Sequence, residues 1–492
     1  SVTGVQTCAL LIYSSYVQGT SAATGSGSFG NPATAQLNTK TAQLNLSYSY
    51  RGGPWRVDAL ASTARSRTNK RDIDQGFFNR VDLDVAGLIV RGDGIYQGMP
   101  GVGLPRAVNA TDRTGRPIDI FDGGEYSLSR VVSRQSDGLD GKLNARADVS
   151  REFGPLFTAK TGVALNVMDR DYRETFKRID FRPTATAADR AARNYDLVDP
   201  VYSKTAQSYF PGRQVQWVSL EKLYQLYKAK PEYFILNETA SYQGSVTPSK
   251  LLQEAVAASY FRGDLKLFEN RLWLVGGVRY EKTMDKGWGP SDEIGAIYKR
   301  DANGNLLRDE KGALIFVSTN ALERQKLRFT YRGAYAEKEY DGWYPSFNSS
   351  FNLTSDLVAR FAYARTLGRP NLGEIIPGQT IADPTLPPER RTITVINTGL
   401  KPWTSDGFDL SLESYHQRGG IATIGVFRKN VRDFFGGIRV PACNALLERY
   451  NIPESFPGEF AGYEIITKEN VGRAQINGSE FSYKQSLYFL PE

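Results

Sequence analysis

Histidine occurs once, cysteine twice and methionine three times in 492 residues, and no stretch approaches a run of apolar residues long enough for a membrane helix. A single histidine, His416, leaves no cluster of imidazoles for a metal and no basis for a Ser-His-Asp triad. Cys8 and Cys443 alone make no disulfide framework. The missing apolar run excludes a transmembrane helix, but it does not exclude a membrane. A barrel strand needs only about ten residues, half of them apolar, so its mean hydropathy stays low. The observed mean hydropathy of −0.41 and a 40% hydrophobic fraction are compatible with that arrangement.

Aromatics, by contrast, are plentiful, with 27 Tyr and 25 Phe. Outer-membrane barrels gather such side chains at the two lipid–water boundaries. The 61 basic residues exceed the 53 acidic ones, for a net charge of +8 and a pI near 9.1. The two signs are interspersed without a run of five like charges, so no nucleic-acid partner is expected. A mild positive excess suits anionic lipopolysaccharide or an acidic ligand equally well.

What the sequence does have is a rhythm. Very short turns fall at Arg51–Pro54, Glu152–Pro155, Phe268–Asn270, Thr354–Asp356 and Gln417–Gly420. Each is flanked by roughly ten alternating residues, and polar, aromatic-rich stretches of about thirty to eighty residues lie between the hairpins. Ala42, Leu44, Leu46, Tyr48 and Tyr50 share one face of such a strand, opposite Gln43, Asn45, Ser47 and Ser49. Leu143 to Val149, Phe157 to Val167, Leu272 to Tyr280 and Leu357 to Tyr363 repeat the pattern, with Asn144, Arg146, Asp148 and Arg360 among the polar residues opposite. The fold class expected is all-β, a transmembrane antiparallel β-barrel with tight turns on one side and long extracellular loops on the other. Tyr50, Trp55, Phe153, Phe157, Phe268, Trp273, Phe351 and Phe361 flank the short turns and predict an aromatic girdle there.

Several motifs fail on context. Gly25 to Gly30 fits G-x-G-x-x-G, but Asn31-Pro32 follows where a dinucleotide site needs a helix. Asp301, Asn303 and Asn305 imitate the start of a calcium loop, yet Leu306 stands where glycine is required and Gly312 where the bidentate glutamate belongs. Asn303-Gly304 instead reads as a type I′ hairpin tip. Ser219 can cap a helix whose Leu220, Leu223, Tyr224 and Tyr227 share one face, ended by Pro231. Asp409 and Glu413 lie four apart on one strand face, roughly 13 Å by strand rise, which suits partners for arginines better than a hydrolase pair. No cofactor, metal site or catalytic residue is expected, and the chain is not expected to be an enzyme.

The two ends look cut. Val2 to Leu10 match one reading frame of a common sequencing adapter without a gap, so residues 1–12 are expected to be an assembly artefact. The sequence of the source locus across that junction decides the matter. Residues 13–40 read as a flexible linker or loop and residues 41–492 as an incomplete barrel domain of about eleven strands.

Segments from Gly276 to Pro491 resemble the barrel of TonB-dependent receptors. They are Gly276-Gly-Val-Arg-Tyr-Glu-Lys-Thr283, Tyr344-Pro-Ser-Phe-Asn348, Arg360 to Asn371 ending in Arg-Pro-Asn, Asn397-Thr-Gly-Leu-Lys-Pro402 with Asp409 to Tyr415, Gly425 to Phe434, and Gly478-Ser-Glu480 with Phe489-Leu-Pro491. Six in the family's order make the match specific. The resemblance implies a barrel of about 22 strands, of which this chain is a part, occluded by an N-terminal plug. It implies energy-coupled uptake of a scarce ligand, such as a ferric siderophore or oligosaccharide, across the outer membrane of a Gram-negative bacterium. The partners implied are outer-membrane lipid, the small-molecule ligand and the TonB complex acting through the plug. Plug, energy-coupling box and remaining strands are expected to lie outside this sequence. Arg279, Glu281, Arg360, Asp409, Glu413, Glu480 and Lys484 are expected to line the lumen, and Trp217 and Tyr227 to contact ligand from the loops. The alternatives are a passive porin-like channel, separated by whether a plug precedes the barrel, and a soluble secreted β-rich glycan-active protein, separated by solubility without detergent.

Overall fold

A computed structural model describes residues 16–20, 26–30, 34–93, 107–183, 190–205, 214–416, 419–452, 454 and 458–485. Eleven long strands dominate them: β1 (Gln36–Gly52), β2 (Trp55–Arg71), β3 (Ser127–Phe153), β4 (Phe157–Phe181), β5 (Lys250–Leu267), β6 (Leu272–Asp292), β7 (Phe329–Asn352), β8 (Leu357–Gly368), β9 (Trp403–His416), β10 (Gly420–Pro441) and β11 (Glu464–Lys484). They neighbour one another in chain order from β1 to β11. Sequential antiparallel pairing follows from the turns, because a connection of a few residues can only return the chain beside itself. The short turns expected from the sequence fall between paired long strands; of the fifth, Gln417–Gly420, residues 417 and 418 lie outside the described residues. Among the described residues the sheet does not close on itself; beyond β11 lie only two short strands, Thr392–Val395 and Gln379–Ile381. Thr392–Val395 runs parallel to β11, a departure from the all-antiparallel expectation.

The chain divides into two compact units. One comprises residues 1–38, 69–137 and 174–245; the other comprises 39–68, 138–173 and 246–492 and holds most of the sheet.

In the sheet-bearing unit the alternation reads out as two faces. Leu44, Leu46 and Tyr48 are about 60% exposed, and Val163, Phe261, Leu410, Ile424 and Val426 on their own strands are likewise exposed. The register carries this face from strand to strand: Phe361 opposes Leu410, and Leu410 opposes Val426. A contiguous apolar wall of this extent would aggregate in water, whereas in hydrocarbon it is the stable side. The other face is polar and hydrogen-bonded: Asn144 donates to Ser62 Oγ, and the Tyr260 hydroxyl to Asp148. The girdle near the short turns is present, with Phe153 5.8 Å from Phe157 and the Arg151 guanidinium over Trp55 and Phe153. A second set of aromatic pairs lies toward the long-loop ends, Tyr280 with Trp343 and Tyr363 with Phe408, each at 5.0 Å. The partners are far apart in sequence and meet only through the strand register.

The first unit is built on its own core. Phe78, Leu83, Leu128, Phe181 and Leu223 are almost fully buried together. The capped helix is present as Leu220–Ala229, with Ser219 Oγ accepting from the Lys222 amide and Leu220 and Leu223 buried. The segment expected as a linker, 13–40, contains paired strands: Tyr16–Thr20 lies beside Ile89–Asp93, and Ser26–Gly30 beside Arg80–Ala86. The latter takes up most of the G-x-G-x-x-G stretch as an extended strand. The artefact expectation for 1–12 lies outside the described residues.

One turn differs from its expected type. Gly304 has φ +86 but Asn303 is not left-handed, so the tip is not type I′. Instead the Gly304 amide donates to Asp301 O (3.1 Å) and the Asp301 amide to Asn305 O (2.9 Å), a type I turn followed by a left-handed glycine. Asp301 Oδ1 accepts from the Asn303 and Asn305 amides, which makes an aspartate at the first position the better choice. The same bonds recur at Asp309–Ala313 and Asp112–Arg116, with Gly312 and Gly115 in the left-handed region. The shared spacing is Asp-x-x-Gly. In the 112–116 tip the Thr114 hydroxyl and neighbouring amides hold the Asp112 carboxyl down to about 2.

Placing a charge on the apolar wall tests the assignment of faces. Leu410→Arg should lower the unfolding free energy of the full-length protein in lipid vesicles by about 2–4 kcal/mol, measured by denaturant titration, while Thr423→Arg, on the other face and opposite Glu413, should change it far less.

Candidate functional site

The polar face of β6 carries Arg279 and Glu281 two residues apart, hence on the same side of the strand. Their side chains pair at 2.7 Å, and Glu281 is nearly buried. Arg369 reaches the other oxygen of the same carboxylate from just beyond the end of β8. Two guanidiniums on one carboxylate satisfy its lone pairs from both sides. On β8 and β9, Arg360 Nε donates to Glu413 Oε1 at 2.9 Å, its Nη1 to Ser350 Oγ, and the Tyr415 hydroxyl to Glu413 Oε2. Asp409 stands on the same face of β9 as Glu413, exposed, and joins neither network. Glu480 and Lys484 occupy the corresponding face of β11, exposed, opposite Gly425 and Ile421.

A segment beyond β8 packs on this polar face. Ile375 and Ile376 bury against Leu252 of β5, and Gly287 leaves room for the chain to cross: a Cβ there would meet Ile375 O at 2.6 Å. Asp285 is buried, with the buried Tyr340 hydroxyl beside it.

The connections at the long-loop end of the same unit form an open-mouthed cavity of about 560 Å³. Asp292, Glu293, Tyr298, Lys299, Arg300 and Phe460 are among the residues lining it. A second core supports it, with Ile294, Ile297, Ile393, Ile465 and Leu447 buried together. Arg300 pairs with Glu459 at 3.1 Å and Arg328 grips Asp292 with two bonds of 2.6 and 3.0 Å. Burial, with Asp383 beside its hydroxyl, pushes Tyr298 up to about 12, so it stays a hydrogen-bond donor at any physiological pH. The volume suits a small ligand, and aromatic surface with fixed charges of both signs suits recognition of a polar one. Among the described residues no group of three or more His, Cys, Asp or Glu side chains could hold a metal ion.

A model of the TonB dependent receptor-like beta-barrel family matches residues 10–490. The chain belongs to that family. Its members are outer-membrane proteins of Gram-negative bacteria, and this TonB-dependent receptor barrel is therefore an outer-membrane protein. No curated relative matches the chain. Among solved structures it is similar to the hemophore receptor HasR of Serratia marcescens, at 10% identity and a TM-score of 0.36, covering 95% of this chain and 60% of that one. The ferric-catecholate import receptor Fiu of Escherichia coli gives 9% and 0.35, covering 94% and 62%. The ferric yersiniabactin uptake receptor FyuA of Yersinia pestis gives 9% and 0.33, covering 96% and 58%. The chain thus spans less than two thirds of the length of these structures.

In the receptor's other unit, the ring of Trp217 lies 5.8 Å from Tyr202, and Ser203 Oγ accepts from the Trp217 amide. Tyr227 packs edge-on against Phe78 and Phe234 within the core. Sequence reasoning did not single out Arg369, although it opens the Arg-Pro-Asn that ends a recognisable strand. It missed the cavity entirely, because its lining comes from loops far apart in sequence.

Removing one member of a nearly buried ion pair leaves the other uncompensated. Arg328→Ala should destabilise the loop core around the cavity by about 3 kcal/mol. Hydrogen exchange at Ile294 and Ile393 should report this, and the added change Asp292→Asn should restore part of the protection.

Proposed function

We propose that this chain forms the wall and outer loops of a receptor that takes up a scarce polar ligand, of the ferric siderophore or oligosaccharide kind, with energy delivered by TonB through a plug. Membership of the family supports the reading. The observation that carries it is the cavity of about 560 Å³ built by loops with a hydrophobic core of their own. A passive pore needs an open passage, whereas a receptor for a dilute ligand needs a recess that is ordered before the ligand arrives. Trp217 offers a partly exposed ring for stacking, and Tyr298 and Phe460 offer aromatic surface at the cavity. Tyr227 acts through the core it completes. The charged residues of the polar face divide into two groups. Arg279, Glu281, Arg360 and Glu413 brace the wall, while Asp409, Glu480 and Lys484 are left to meet a plug or a passing ligand.

The test is uptake by cells expressing the full-length gene, with labelled ferric chelates and labelled oligosaccharides supplied at nanomolar concentration. Accumulation of one class that disappears in a strain lacking TonB is the expected result. Accumulation that persists without TonB and rises linearly with concentration would show a passive channel instead.

A further inference from the structure

On the apolar face, the wall made by β8 to β11 does not become neutral where its aromatic pair ends. Tyr363, Phe408, Arg428 and Asn477 form one cross-strand row. The next row is Arg365, Asp406, Asn430 and Gln475, and the one beyond it is Leu367, Thr404, Arg432 and Arg473. Four arginines therefore share this outward patch with one carboxylate. Asp406 is already engaged by Arg365 at 2.9 Å and by Arg432 at 3.7 Å, and it accepts from the Tyr363 hydroxyl. Arg428 finds only the neutral amide oxygens of Asn430 and Gln475. Arg473 is exposed and makes no side-chain hydrogen bond or ion pair among the described residues. It stands directly opposite Arg432, and like charges in that position destabilise a sheet unless an anion lies between them. Asp433, at the bulge after Arg432, makes no ion pair among the described residues.

The neighbouring wall shows what self-compensation looks like. Beyond Tyr280 and Trp343, the outward lysines of β6 are matched across the ladder: Lys282 pairs with Glu339 at 2.8 Å and Lys286 with Glu337 at 3.0 Å. The excess on β8 to β11 is thus a local feature of this chain, not the usual state of its outer wall.

Height fixes what the patch would meet. Arg428 and Arg432 lie eight and twelve residues beyond Gly420, where β10 leaves its short turn. At about 3.4 Å per residue and a tilt of roughly 40°, they stand about 20 and 30 Å above that turn, against an apolar band about 25 Å tall. The patch straddles the upper lipid boundary, with Leu410, Leu412, Ile424 and Val426 exposed directly below it.

We infer that this surface binds a phosphorylated lipid headgroup of the outer leaflet. Its phosphates sit between Arg428, Arg432 and Arg473, and its acyl chains lie against the apolar wall beneath. Guanidinium forks suit phosphate oxygens bidentately, and the bound anion removes the repulsion between Arg432 and Arg473. The inference rests on membrane location and not on which ligand is taken up.

The experiment uses the full-length protein purified in a neutral detergent and titrated with diphosphorylated lipid A, with its dephosphorylated form, and with inorganic phosphate. Melting temperature and native mass spectrometry are read together. Wild-type protein should bind the diphosphorylated lipid at least tenfold more tightly than the dephosphorylated one and gain several degrees in melting temperature. The double variant Arg432→Gln/Arg473→Gln should be no less stable in detergent alone, since it relieves like-charge repulsion, yet it should lose that gain. Lys282→Gln/Lys286→Gln should keep it. Equal binding of the two lipids, an undiminished gain in the Arg432→Gln/Arg473→Gln variant, or saturation by inorganic phosphate alone would overturn the inference.

Discussion

In hydrocarbon an unpaired peptide group costs several kcal/mol, and that constraint organises everything else in this chain. It forces the strands inside the wall to spend their amides and carbonyls on two neighbours, so that only side chains remain to distinguish lipid from water. Period-two alternation is the direct consequence, and the eleven long strands carry it side by side in chain order from β1 to β11. Where the wall leaves the bilayer the constraint relaxes, and there the chain builds loops with their own cores, around Phe78 and Leu223 in one unit and around Ile393 and Ile465 in the other.

That same physics explains what could be read in advance. Strand faces and short turns are local properties, so Leu44, Leu46 and Tyr48 could be placed from alternation alone, and Ser219 from its cap position. The turn at Phe268–Asn270 was legible from its flanking strands, although its three consecutive left-handed residues include no glycine to announce them. The tip at Asp301 is legible as a turn but not in its type, because Asn-Gly signals type I′ while the geometry is set by the aspartate two residues earlier.

The rest depends on contacts between distant residues. The cavity brings Tyr298 beside Phe460, and the second aromatic girdle brings Tyr280 beside Trp343. Neither follows from any window of sequence, since the cavity is lined by loops far apart in the chain and the aromatic pair is set by strand register. The polar face shows the same limit in finer grain: Glu281 is recognisable as a charge on the polar side of its strand, but its second partner, Arg369, comes from a segment that turns back onto the sheet. The outward arginines of β10 and β11 were equally invisible, because only register reveals that Arg432 faces Arg473.

The most direct check on the whole account is a cysteine scan along β9 and β10, from Phe408 to Glu413 and from Thr423 to Arg428, in a Cys8→Ser/Cys443→Ser background reconstituted in lipid. Spin labels at Phe408, Leu410, Leu412, Ile424 and Val426 should be relaxed by oxygen dissolved in the bilayer. Labels at Asp409, Ser411, Glu413, Thr423 and Phe427 should instead respond to a water-soluble nickel chelate, giving a strict two-residue period. A flat profile, or one in which the leucines answer to the chelate, would contradict a membrane wall made of these strands.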